Sequence, residues 1–97
     1  MTERERLRKA ILRMHGVDSS YVRSEKVHET FQGETVWEGV VEVFAIKGHP
    51  KASLAYAWSH ETAEGGRRHV AVLGVDPIKS AQDAVRASIA AERHGER

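Results

Sequence analysis

The sequence has no cysteine, and only two of its 97 residues are proline. Without a thiol there is no disulfide, no thiolate metal site and no cysteine nucleophile, a composition that suits a reducing cytoplasm. Long apolar runs are missing as well, because the first segment, MTERERLRKAILRMHG, carries charges at short intervals. We therefore expect neither a signal peptide nor a membrane span. We expect a cytoplasmic location.

There is also little net charge, since 15 Lys and Arg face 14 Asp and Glu, for a formal charge of +1. This balance argues against a dedicated nucleic-acid clamp or a membrane-surface binder. The distribution is uneven, however. Residues 1–15 hold five cations against two carboxylates, whereas residues 25–42 hold five carboxylates against one lysine. The length suits one compact core, so we expect a single domain over residues 1–97.

Residues that typically begin and end helices are found near both ends of the chain. Thr2 followed by Glu5 fits a capping box, and Gly16 is a natural carboxyl-terminal cap, which predicts a helix over about residues 3–15. Its apolar stripe consists of Leu7, Ala10, Ile11 and Met14. After Pro77, the pair Ser80 and Asp83 marks the start of a second helix over about 81–93.

Four strands are predicted between these helices, at about residues 21–30, 35–46, 52–60 and 68–75. The segments between them are too short for parallel crossovers, so we expect an antiparallel meander. The order is then α-β-β-β-β-α, an α+β fold in which both helices pack on one face of the sheet.

The turns predict which side chains share a face. A three-residue loop, Phe31-Gln32-Gly33, sets Thr30 opposite Glu34, and a four-residue loop over 47–50 sets Ile46 opposite Lys51. Both registers gather the same large side chains on one face: Tyr21, Val27, Trp37, Val41, Val43, Leu54, Tyr56 and Trp58. We expect both helices to cover this face through Leu7, Ile11, Val85 and Ile89. For the strand at 68–75 the sequence does not decide which face points inward. Both alternations are apolar, with Val70 and Val72 on one face and Ala71, Leu73 and Val75 on the other.

The opposite face of this sheet would be exposed to solvent. Four apolar side chains are expected on it or at its tip: Phe31, Val36, Val40 and Phe44. An open sheet face with such residues suits docking, so the favoured hypothesis is a non-enzymatic interaction module that self-associates or binds a protein partner there. The alternative is that these are the scattered exposed apolar residues that any protein carries.

A second hypothesis is nucleic-acid binding. Its candidate residues are Arg6, Lys9 and Arg13 on the first helix, together with Arg67 and Arg68 in the last hairpin, because phosphate contacts need such cations. The alternative is a solvated helix face, supported by a Glu5–Lys9 pair at the i, i+4 spacing.

Catalytic and metal chemistry find weaker support. His60, Glu61, Glu64 and His69 form the best metal constellation, but spacing fixes no further ligand, so we expect no metal and no cofactor. Ser59, His60 and Glu61 are adjacent in a strand and alternate faces, which keeps a nucleophile from its base. An enzyme is therefore the third hypothesis, favoured only if His60 and His69 share a bound metal.

Two resemblances add to this interpretation. The order of elements resembles the double-stranded-RNA-binding fold, although the closing helix, PIKSAQDAVR, lacks that family's lysine cluster, so the resemblance concerns topology. The segments HGVDSSYVRSEKVHETFQGETVWEGVVEVF, KGHPKASLAYAWS and SAQDAVRASIAAE resemble a group of small uncharacterised bacterial proteins. This second resemblance implies a bacterial origin and no particular activity.

Overall fold

The computed structural model describes the backbone of residues 2–95 and the side chains of residues 2–91. The elements are α1 (Glu3–His15), β1 (Asp18–Phe31), β2 (Glu34–Lys47), β3 (Leu54–Glu61), β4 (Arg67–Leu73) and α2 (Ala81–Gly95). The strands form one antiparallel sheet in the order β1-β2-β3-β4. The predicted α+β class and order of elements are confirmed. Neither of the helices described is long and apolar enough to cross a membrane.

The predicted capping residues define the helix starts. The Thr2 hydroxyl accepts a hydrogen bond from the Glu5 amide at 3.2 Å. At the other end of α1, Gly16 has a φ of 70° and donates its N–H to the carbonyl of Leu12 at 2.8 Å, so the helix ends where glycine allows a left-handed conformation. The Ser80 hydroxyl accepts from the Asp83 amide at 3.1 Å at the start of α2.

The sheet carries a core on each face. Alternate residues of a strand point to opposite faces, and the buried residues divide accordingly. The α1 core contains Leu7, Ile11, Phe44, Ile46, Ala55 and Ala57. The α2 core contains Val27, Val41, Val43, Tyr56, Trp58 and Val85. The two helices therefore lie on opposite faces, and the prediction that both pack on one face is wrong.

The physical reason is that β2, β3 and β4 are apolar at both alternations. A strand covered on both faces reads as a continuous apolar run, and AYAW in β3 is of this kind. The same feature explains why the sequence did not predict a single inward face for β4. Val70 and Val72 pack in the α2 core, whereas Ala71 and Leu73 pack in the α1 core.

The first hairpin closes through a tighter turn than predicted. Phe31 pairs with Glu34 across Gln32 and Gly33, whose φ angles of 53° and 81° suit a two-residue type I′ turn. The predicted three-residue loop is therefore wrong. A bulge at Val36 follows, and it takes up one further residue of β2.

The tighter turn and the bulge each shift the β1–β2 register by one residue, and the β2–β3 register is shifted by two at its own turn, so the faces are preserved. Val27 lies opposite Gly39 instead of Trp37, and Val43 lies opposite Tyr56 instead of Leu54. Because side chains alternate with a period of two, the predicted face set stays together. Its members pack against α2, with Tyr21 as the exception.

Tyr21 leaves this set because of a second bulge. Tyr21 pairs with Phe44 and Arg23 pairs with Val43, so Val22 is an extra residue in β1. The bulge turns Tyr21 to the α1 face, where its ring meets Phe44 edge-on, with the centroids 6.1 Å apart. The prediction that Tyr21 is buried on the same face as Val27 and Trp37 is wrong.

The outer part of the β1–β2 hairpin extends past the rest of the sheet, since β3 pairs with β2 only between Glu42 and Ala45. Among the contacts between described residues that tie this overhang to the body are one aromatic and one polar contact. The indoles of Trp37 and Trp58 pack edge to face with centroids 5.8 Å apart. The second contact is the Glu29 carboxylate, which accepts hydrogen bonds at 2.6 Å from both Gln82 and Arg86 of α2.

This second contact makes stability depend on pH. The hydrogen bond from Gln82 lowers the pKa of Glu29 below its ordinary value of 4.5, and Arg86 lowers it further, although desolvation opposes both. The unfolded chain then takes up the proton first as the pH falls. The stabilisation is complete above the ordinary pKa and is lost as the pH drops through the lower folded value.

Glu29→Gln is therefore expected to flatten the decline in unfolding free energy between about pH 5 and pH 3. Urea unfolding at a series of pH values measures this decline. Glu34→Gln removes an exposed carboxylate from the turn of the same hairpin and serves as the control. Equal slopes for Glu29→Gln and the unsubstituted protein would contradict the expectation.

Candidate nucleic-acid interface

The outer face of α1 presents the cations predicted for nucleic-acid binding. Arg6, Lys9 and Arg13 are all exposed, at spacings of three and four residues. In the described part of the chain, no salt bridge involves any of the three, nor Arg8. The Glu5–Lys9 pair expected for a neutralised helix face is therefore not formed, and these charges face solvent without a carboxylate partner.

The acidic residues of α1 lie near its start. Glu3 is 3.7 Å from the His69 imidazole of β4, which directs this carboxylate toward the sheet. Glu5 is exposed in the first turn, where its negative charge interacts favourably with the positive end of the helix dipole. The remaining length of α1 is uniformly basic at its charged positions.

The two arginines of the last hairpin separate. Arg67 shares its side of β4 with His69 and Ala71, which is the α1 face, and it donates to the Ser59 hydroxyl at 3.0 Å. Arg68 shares its side with Val70, which packs in the α2 core. Arg67 can therefore extend the basic surface of α1, whereas Arg68 lies on the opposite side and does not join it.

An open groove runs between α1 and the start of β1, with a volume of about 440 Å³. We call it the α1 groove. The groove is lined by Arg4, Glu5, Arg8, Lys9, Ser19, Ser20, Tyr21 and Phe44. Three cations and one carboxylate thus surround a space that also offers two serine hydroxyls and two aromatic rings.

One wall of the α1 groove is held by a chain of polar contacts. The Arg4 guanidinium lies over the Tyr21 ring, 3.7 Å from its centroid, and 3.5 Å from the Glu42 carboxylate. Ser24 donates to Glu42 at 2.8 Å, so the Tyr21 hydroxyl must donate to Ser24, at 2.7 Å. These contacts fix the position of Arg4 before any ligand arrives.

The predicted docking residues do not form one surface. Phe44 is 1% exposed beneath α1, so its assignment to an open face is wrong. Val40 is 46% exposed on the overhang. Phe31 and Val36 instead line a groove of about 290 Å³ together with Ile89 of α2. Self-association or protein binding through these side chains stays a prediction.

The histidines of the last hairpin lie on opposite faces. His69 faces α1 and approaches Glu3, whereas His60 lines a cavity of about 110 Å³ with Trp37, Trp58 and α2. The two imidazoles therefore cannot share a metal ion. Within residues 2–91, no group of three or more histidine or carboxylate side chains is placed to hold one.

Several lining residues of the α1 groove were not among the predicted site residues. Arg4 and Arg8 stand at i, i+4 and share a side of the helix, which is a signal that the sequence does contain. Ser19 and Tyr21 carried no such signal, because their position beside α1 depends on the bulge at Val22.

No family model matches the chain, and searches of curated proteins and of solved structures find no significant match. The two resemblances drawn from the sequence therefore stay predictions. What the structure defines is a small α+β protein whose antiparallel sheet is covered by one helix on each face.

Proposed function

We propose that this protein is a non-enzymatic nucleic-acid-binding module that contacts the phosphate backbone through the outer face of α1. The single observation that carries the proposal is a row of exposed cations, Arg6, Lys9 and Arg13, that have no carboxylate partner among the described residues. Arg67 lies on the same face of the protein and can extend the contact.

The proposal is preferred over docking through the sheet because α1 occupies the sheet face that docking would need. It also explains how a protein with little net charge can bind a polyanion. The cations are concentrated on one helix, and the excess of carboxylates lies in residues 25–42, mostly on the hairpin. Such an asymmetric charge distribution orients the molecule toward a phosphate backbone.

The triple variant Arg6→Gln, Lys9→Gln, Arg13→Gln tests the proposal. Counterion release makes each phosphate contact worth roughly tenfold in affinity at about 50 mM salt, so the variant is expected to bind a single-stranded oligonucleotide several hundredfold more weakly. The slope of log affinity against log salt should also fall by about 0.7 for each lost contact. Fluorescence polarisation with a labelled 12-nucleotide strand measures both.

A matched control separates the helix face from overall charge. Lys26→Gln, Lys47→Gln, Lys51→Gln removes the same number of positive charges from exposed sites outside α1. We expect this control to retain most of the affinity. Equal weakening in the two triple variants, or no binding of DNA or RNA by the unsubstituted protein at low salt, would refute the proposal.

A further inference from the structure

The α1 groove contains a buried hydroxyl group that the fold does not use. Ser19 is only 8% exposed, and its Oγ has no hydrogen-bond partner among the described residues. A buried polar group without a partner is costly, and native structures rarely keep one without a reason. Ser19 lies on the α1 face of β1, since its register partner Ile46 packs in the α1 core.

The cations of the α1 groove lie around this hydroxyl. Arg4 is held in place by the Tyr21 ring and Glu42. Arg8 has no ion pair within the part of the chain that the structure describes, although it lines the same groove. Glu5 is the carboxylate among the described lining residues, and Glu42 pairs with Arg4, so three cations face two carboxylates and the charge there favours an anion.

These groups match the chemistry of a phosphate. A phosphate offers several acceptor oxygens in a compact tetrahedron, and guanidinium groups bind such oxygens with paired N–H donors. We propose that the α1 groove is a phosphate subsite, in which Arg4 and Arg8 bind the phosphate oxygens and the Ser19 hydroxyl donates a further hydrogen bond. The inference rests on the proposed function and names the part of the nucleic acid that this groove takes, a single backbone or terminal phosphate.

The Ser19 hydroxyl is reached only when the ligand displaces the lining that covers it. The long side chains of α1 along this groove are exposed and have several rotatable bonds, so they can move without disturbing the buried stripe of the helix. The subsite then combines the positioned guanidinium of Arg4, the mobile guanidinium of Arg8 and a fixed hydroxyl from β1.

Inorganic phosphate is the direct probe, added at constant ionic strength to ¹⁵N-labelled protein and followed by NMR. We expect amide shifts confined to Ser19, Ser20 and Tyr21. Ser19→Ala and Arg8→Gln are each expected to weaken phosphate binding about tenfold, because a hydrogen bond to a charged group is lost. Lys26→Gln removes the same charge outside both α1 and the groove and should leave phosphate binding unchanged.

The Ser19→Ala variant also has a readout in the absence of ligand. Removing a buried hydroxyl without a partner should leave the melting temperature unchanged or raise it, so weaker phosphate binding would not reflect unfolding. Diffuse shifts over all cations, or unchanged phosphate binding by Ser19→Ala, would overturn the subsite. If the oligonucleotide binds through Arg6, Lys9 and Arg13 while phosphate causes no local shift, only the subsite fails. Absence of oligonucleotide binding instead removes the proposed function, and the phosphate titration still decides the subsite.

Discussion

Phe44→Ala is expected to lower the free energy of unfolding by about 3–5 kcal/mol. Phe44 is among the largest fully buried side chains, and it packs with Leu7 and Ile11 of α1 in the core on that side of the sheet. A loss of this size is a large part of the roughly 5–15 kcal/mol that stabilises a typical domain. Urea unfolding followed by circular dichroism measures this loss, provided that the slope of the unfolding free energy against urea concentration is the same in both proteins.

Val40→Ala is the matched control, because Val40 lies on the same strand and the same face but is 46% exposed. An exposed truncation of this kind should change the unfolding free energy by no more than about 0.5 kcal/mol. Should Phe44→Ala prove as mild as Val40→Ala, α1 would not cover this face, and the arrangement with both helices on the other face would be restored.

Trp58→Ala is the second substitution with a large expected effect, again about 3–5 kcal/mol of unfolding free energy. The indole is 3% exposed in the α2 core and packs edge to face on Trp37. Trp37→Ala should cost less, because that ring stands on the overhang and is only partly buried. The double variant should reveal a coupling of about 0.5–1.5 kcal/mol between the two rings.

Fluorescence gives an independent measure for Trp58. In a Trp37→Phe variant, Trp58 is the remaining indole, and its emission should be shielded from a polar quencher such as acrylamide in the native state. Full quenching in the folded protein would contradict the buried position. Comparable unfolding costs for Trp37→Ala and Trp58→Ala would instead show that the overhang packs as tightly as the body of the sheet.

The set of residues that share the α2 face could be predicted because of an arithmetic property of strands. The first turn is one residue tighter than predicted and the bulge at Val36 adds one more, so the β1–β2 register moves by two residues, and the β2–β3 register also moves by two. An even shift keeps every side chain on its original face. The grouping of Val41, Val43, Tyr56 and Trp58 was therefore secure even though their exact partners were not.

The position of α1 could not be predicted in the same way. Its apolar stripe identifies a buried face, but a sheet with apolar side chains on both sides offers two places to bury it. The short link through Gly16 and the buried Val17 leads directly from the helix into β1, and the packed structure places the helix over Phe44. The apolar side chains Ala55, Ala57 and Phe44 were the available signal, since a solvent-facing strand surface is normally more polar.

The α1 groove could not be predicted from the sequence, because β-bulges have no clear sequence signal in a single chain. The exposed cations could be listed from the helix alone. Their neighbours on β1 depend on one additional residue at Val22, and nothing in the local composition indicates it. The basic helix face was thus predictable, whereas its pairing with Ser19 and Tyr21 was not.

The bulge at Val22 has a consequence for how such a site could arise or vanish. Val22 is 45% exposed, and so it contributes little to either core. Related chains in which Val22 paired regularly with Phe44, without the bulge, could keep both helices and the whole sheet, yet their tyrosine would point to the α2 face and leave Arg4 without its ring. The fold and the binding site could in that case change independently in evolution, because the pairing of one residue of β1 decides where the tyrosine lies.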